Sequence, residues 1–160
     1  MADIGALERV DPRKVEDGVW VPYKADIRFR VAKLDNARHT ARRRELQQSD
    51  QYRLRLRSPA TAEEANRELG VQLVAETILL DWEHVELDGV ALPFTVENAM
   101  RVLTDFPDVL AFIVAVASDS QTYRLRTDED GAGNSGRPSV GTTSGSGAGK
   151  RAANPATING

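Results

Sequence analysis

The sequence predicts an α+β fold that is mainly helical: an N-terminal β-hairpin, about four helices by periodicity and capping signals, a small hairpin or structured turn near residues 85–92, and a disordered Gly/Ser-rich C-terminal tail. Three observations carry this prediction. Ile27, Phe29 and Val31 alternate with Arg28 and Arg30, the period of two expected of a half-buried strand. Asp88-Gly89 stands between the apolar residues Val85, Leu87, Val90 and Leu92. From residue 128 onward, large apolar side chains almost disappear.

The first strand is read in Gly18-Val19-Trp20-Val21-Pro22-Tyr23, with Pro22 ending it or placing it at an edge, because proline has no amide to give to a ladder. The alternating stretch after it completes a hairpin. From Asn36 to Arg57 there are few β-branched residues and many helix formers, which predicts a polar helix that frays near Ser49-Asp50 and stops at Ser58-Pro59. Thr61-Ala-Glu-Glu64 has the form of a capping box. Leu69, Leu73, Ile78 and Leu80 then continue toward Trp82 as a helix entering a core. Asp88-Gly89 suits the positive φ angles of a tight hairpin turn. Thr95 caps another helix, with Val96, Ala99, Met100 and Leu103 on one face. Asp105-Phe106-Pro107 opens the last helix, whose residues 109–117 (VLAFIVAVA) are apolar almost all round and predict a central buried helix.

These elements fit one domain at residues 15–126, between a flexible stretch at 1–14 and a tail at 127–160 too poor in apolar side chains to offset the entropy of ordering it. The length of 160 residues agrees with a single domain. The chain has no Cys, which removes disulfide frameworks, thiolate metal sites and Cys nucleophiles. No signal-peptide pattern opens the sequence and no apolar run approaches membrane-spanning length, so a cytosolic protein without membrane contact is expected. With 21 Lys and Arg against 24 Asp and Glu, the net charge of −3 argues against a general nucleic-acid binder.

No catalytic, cofactor-binding or metal-ligating constellation emerges. His39 and His84 fall in different elements and read as surface or turn histidines. Asp81, Glu83, Glu86 and Asp88 cluster without the order of a calcium loop and read as a solvated rim. GSGAGKR in the tail lacks the glycine spacing and the Lys-Ser or Lys-Thr pair of a phosphate loop.

Charge segregation does stand out. Residues 28–57 hold ten Lys or Arg and three acids, whereas residues 58–130 hold four basic and fifteen acidic residues. Three readings fit: Arg42, Arg43 and Arg44 contact phosphates; the two halves drive self-association or bind an acidic partner helix; or the basic helix folds back on the acidic half.

The order of the pieces carries a resemblance. A Gly-Val-Trp-Val strand precedes IRFRVAKLDNARH and an Arg-rich helix, and AETILLDWEHVELDGVALPFTVENAMRVLTDFPDVLAFIVAVASDSQTYR follows. Over residues 15–124 this resembles the tail assembly chaperones of long-tailed bacteriophages and prophages. The matching features are Trp82, the Asp88-Gly89 turn, the Pro93-Phe94-Thr95 helix start and Tyr123-Arg124.

The resemblance implies a non-enzymatic protein that binds the tape measure protein, keeps it soluble and helps to recruit tail tube subunits. It implies several self-associating copies acting in the host cytoplasm and absent from the mature virion. Alternatives are a structural tail completion or connector protein and a small nucleic-acid-binding regulator. The surfaces singled out for partner binding are the Trp82–Phe94 turn and the Arg42, Arg43 and Arg44 face, although core packing is the ordinary role of large apolar residues such as Trp82 and Phe94.

Overall fold

Asp11 accepts a hydrogen bond from the Arg13 amide, and Pro12 occupies the first helical position, where a missing N–H costs nothing. The helix α1 (Pro12–Asp17) therefore starts ahead of the expected domain boundary at residue 15, and a 3-10 turn at Ile4–Ala6 precedes it. The computed structural model describes residues 1–125; the expected tail at residues 127–160, with its GSGAGKR segment, lies outside the described residues.

Strands β1 (Val19–Pro22) and β2 (Arg28–Val31) form the expected antiparallel hairpin. A third strand, β3 (Leu79–Glu83), pairs with the other edge of β2, giving the order β1-β2-β3. Phe29 and Val31 point into the core, while Trp20 lies beneath the guanidinium groups of Arg28 and Arg30, at 5.5 and 6.0 Å from its ring centre. Gly18 joins α1 to β1 at φ +79°, and a Cβ there would stand 3.0 Å from Leu80 and 3.1 Å from the Val31 backbone, so only glycine fits.

The polar helix breaks where expected, into α2 (Ala37–Gln47) and α3 (Asp50–Arg55), with Ser49 capping the second. Helix α4 (Pro59–Leu73) starts at Pro59, two residues ahead of the predicted capping box. Proline in the first turn fixes the start there, and the Thr61 hydroxyl instead donates to the carbonyls of Arg55 and Ser58, tying α3 to α4.

The prediction that this helix runs on toward Trp82 is corrected. It widens into a π turn at Val74–Ile78 and gives way to β3. Short apolar runs do not distinguish helix from strand by periodicity, and pairing with the free edge of β2 decides the matter. Between Arg30 and Val31 the ladder is bulged: Arg30 faces Asp81 and Val31 faces Leu79, leaving Leu80 over. Leu79 and Trp82 thus both reach the core although they stand an odd number of positions apart, with Leu80 and Asp81 between them.

Strands β4 (Glu86–Leu87) and β5 (Val90–Ala91) form the small hairpin, with Asp88 and Gly89 both at positive φ as a mirror-image turn requires. Helix α5 (Val96–Asp105) is capped by Thr95, whose hydroxyl accepts from the Asn98 amide at 3.0 Å. Helix α6 (Pro107–Ser118) differs from the prediction. Only Ile113 and Ala117 are buried, and Ala111 and Ala115 are exposed. The helix packs on α5, the π turn, β2 and the 3-10 turn at Ser120–Tyr123.

Tyr123 closes the structure. It is fully buried, and its hydroxyl donates to the Val31 carbonyl at 3.0 Å. Burial pushes its phenol well above its ordinary pKa. On either side, Asp11 donates to the Tyr123 carbonyl and Leu125 to that of Arg9, so the two ends of residues 1–125 are bound together.

Candidate functional site

The two apolar candidates lie against each other. Trp82 is 7 % exposed, sits across from Phe29 and donates through Nε1 to the Leu92 carbonyl at 2.7 Å. The half-buried Phe94 meets its ring edge-on at 5.1 Å. This pair joins β3 to the segment leading into α5.

The basic candidates are largely engaged. Arg42 donates to Glu76 and pairs with Glu45 at 2.9 Å, while Gln72 donates to Glu76 at 2.9 Å. The hydrogen bonds to Glu76 and Glu45 hold the Arg42 guanidinium above its ordinary pKa. Glu76 is held below its usual value, chiefly by Arg42 and in opposition to its burial. Arg43 lies 3.4 Å from Asp35, Arg38 reaches Glu16, and Arg55 is held by Glu64 and Glu68. Of the three consecutive arginines, Arg44 alone is exposed without a carboxylate partner among the described residues. Much of the segregated charge is therefore spent in folding back.

His39 corrects a prediction: it is buried, at 5 % exposure. The reason is the cap. Asn36, itself buried, accepts from the His39 amide and donates to the carbonyls of Lys33 and Thr77, turning the first turn of α2 onto the π turn. Burial pushes the imidazole below its ordinary pKa, with Asp35 pulling the other way from 3.5 Å. His84 is exposed at positive φ in a turn. Among the described residues no group of three or more acidic or His side chains is placed to hold a metal, and no helix is long and apolar enough to cross a membrane.

One unfilled apolar surface is not among the sequence-based candidates. The side of α6 that carries Leu110 and Val114 and the facing side of α4 bound an apolar groove made of two adjoining hollows of about 450 and 350 Å³. Val71, Leu110 and Arg67 line both hollows; Met100 and Leu103 floor one, and Val74 and Val114 the other. Arg67, Glu68 and Gln72 supply a polar margin. Gly70 lies in the groove wall, and a Cβ built on it meets no atom within 4 Å. The signal was present in the sequence as the all-round hydrophobicity of residues 109–117, which reads equally well as complete burial.

A family model described as YdaY prophage protein matches residues 16–134. No curated protein and no solved structure matches the chain.

Proposed function

Because this chain belongs to the YdaY prophage protein family, we propose that it is a tail assembly chaperone, which holds the tape measure protein soluble and brings tail tube subunits to it in the host cytoplasm. The observation that carries this reading is the α4–α6 groove, apolar on its floor and polar at its margin. An amphipathic helix laid in such a groove buries apolar side chains at positions i, i+3, i+4 and i+7 while its outer face stays in water. Tape measure proteins are long and helical and expose such stripes until the tail tube surrounds them, so a chain of weak grooves along one polypeptide gives strong net binding.

Gly70 provides the test. A Cβ there meets no atom at the groove wall, so leucine adds apolar bulk beside the groove, and in a helix interior it is favoured over glycine by about 0.5–1 kcal/mol. Co-expression with the tape measure protein of the same prophage is expected to give a soluble complex with the parent chain. Gly70→Leu is expected to fold at least as stably and to leave the tape measure protein insoluble. If the parent chain neither co-purifies with it nor changes its solubility, the chaperone reading is wrong.

A further inference from the structure

A second concavity lies at the other side of the α5–α6 junction and shares only Pro107 with the lining of the α4–α6 groove. It is a cleft of about 440 Å³ with Phe29 and Val102 at its base and Ile27, Leu87, Leu92 and Val109 in its walls. Its mouth is acidic: Glu86, Asp105 and Asp108 border it, against one base, Lys24, whose ammonium lies over the Tyr23 ring. Asp105 is near Arg101 at 3.8 Å, whereas Glu86 and Asp108 have no basic partner among the described residues. Phe106, also lining the cleft, is 45 % exposed.

The complementary surface is on the same chain. At the corner between α3 and α4, residues 53–57 read Arg-Leu-Arg-Leu-Arg. Leu54 and Leu56 are 61 % and 41 % exposed, large values for leucine. Arg55 is held by Glu64 and Glu68, but Arg53 and Arg57 are exposed and without a carboxylate partner among the described residues. An apolar projection flanked by free cations thus matches an apolar cleft flanked by free anions. No residue of this corner lines the cleft of its own chain, so a contact between the two requires a second copy.

We propose that this chain associates head to tail, the α3–α4 corner of one copy, with Leu54 and Leu56 between Arg53 and Arg57, seating in the acid-rimmed cleft of the next. The two surfaces differ, so the contact is heterologous: each copy offers one of each, and association continues until a ring closes or an open chain forms. The apolar pair supplies attraction, and the exposed charges fix orientation and reject copies presented the wrong way round. Because those charges face water, the contact weakens as added salt shortens the screening length. It goes beyond the chaperone reading and does not depend on it.

Sedimentation velocity on the full chain tests this. The mean mass is expected to rise with protein concentration and to fall as salt is raised. One variant reverses the corner, Arg53→Glu with Arg57→Glu; another reverses the cleft mouth, Glu86→Lys with Asp108→Lys. Every altered side chain is exposed, so both should fold. Each alone juxtaposes like charges and is expected to associate at least about tenfold more weakly than the parent. Mixed together they present opposite charges at both contacts, and the mixture is expected to recover parental association. A parent that stays monomeric at every concentration, variants that associate like the parent, or a mixture no larger than its separate components would each overturn the proposal. Gly70→Leu should self-associate like the parent, which separates failure here from failure of the chaperone reading.

Discussion

Replacing Trp82 by alanine tests whether the Trp82–Phe94 pair is structural. The ring is 7 % exposed, contacts Phe94 edge-on and donates to the Leu92 carbonyl. A buried aromatic removes about 150–250 Å² from water, which at about 25 cal/mol/Å² corresponds to about 4–6 kcal/mol. Measured truncations of core Trp or Phe to Ala cost about 3–5 kcal/mol. The expected loss for Trp82→Ala is therefore about 3–5 kcal/mol, a large part of the ~5–15 kcal/mol that holds a domain folded.

Trp82→Phe divides this effect. It keeps an aromatic against Phe94 but leaves the Leu92 carbonyl without its donor, at about 1–3 kcal/mol. Combining Trp82→Leu with Phe94→Leu, each of which removes the aromatic pair, should show non-additivity of about 0.5–1.5 kcal/mol. Urea unfolding followed by circular dichroism reads each value as a midpoint shift at constant slope. If Trp82→Ala falls within about 0.5 kcal/mol of the parent, the range of featureless surface changes, and yet loses tape measure binding, the ring belongs to an interface and the packing argument is refuted.

Three further outcomes follow from the same geometry. Tyr123→Phe strips the Val31 carbonyl of its buried donor and should cost about 1–3 kcal/mol in urea unfolding; an unchanged midpoint would show that this bond contributes nothing. Glu76 has its folded pKa lowered below 4.5, chiefly by Arg42, so its contribution is present above 4.5 and lost as pH falls through the folded value. Glu76→Gln should flatten that acid limb of the stability profile, and a limb of unchanged slope would count against the ion pair. His39 is likewise lowered, by burial, so stability is full above 6.5 and declines as pH falls toward the folded value; His39→Gln should abolish the decline that begins at pH 6.5, and a slope equal to the parent's would contradict burial of the imidazole.

What was legible in the sequence is what local chemistry decides. Asp88-Gly89 dictates its turn through backbone sterics, Thr95 its helix start through one hydroxyl, and the alternation around Phe29 its strand. What was not legible depends on partners distant in the chain. Whether residues 79–83 are helix or strand is settled by the edge of β2, roughly fifty residues earlier, a separation no local window spans. His39 is buried because Asn36 bonds the Thr77 carbonyl, a contact that no spacing rule signals. The groove escaped notice for a related reason. Hydrophobicity in α6 reports that a surface avoids water, without saying whether the chain itself or another molecule covers it.

The bulge opposite Val31 sets how this chain tolerates changes of length. Leu80 is the residue left over when Val31 faces Leu79 and Arg30 faces Asp81. Deleting Leu80 would leave every other pairing in the ladder as it is, with Trp82 still across from Phe29. Deleting Asp81 instead would bring the extra leucine into register and set an aliphatic side chain beside Trp20 and its two arginines. Within this strand a missing residue is thus a small wound at one position and a misdirected face at its neighbour.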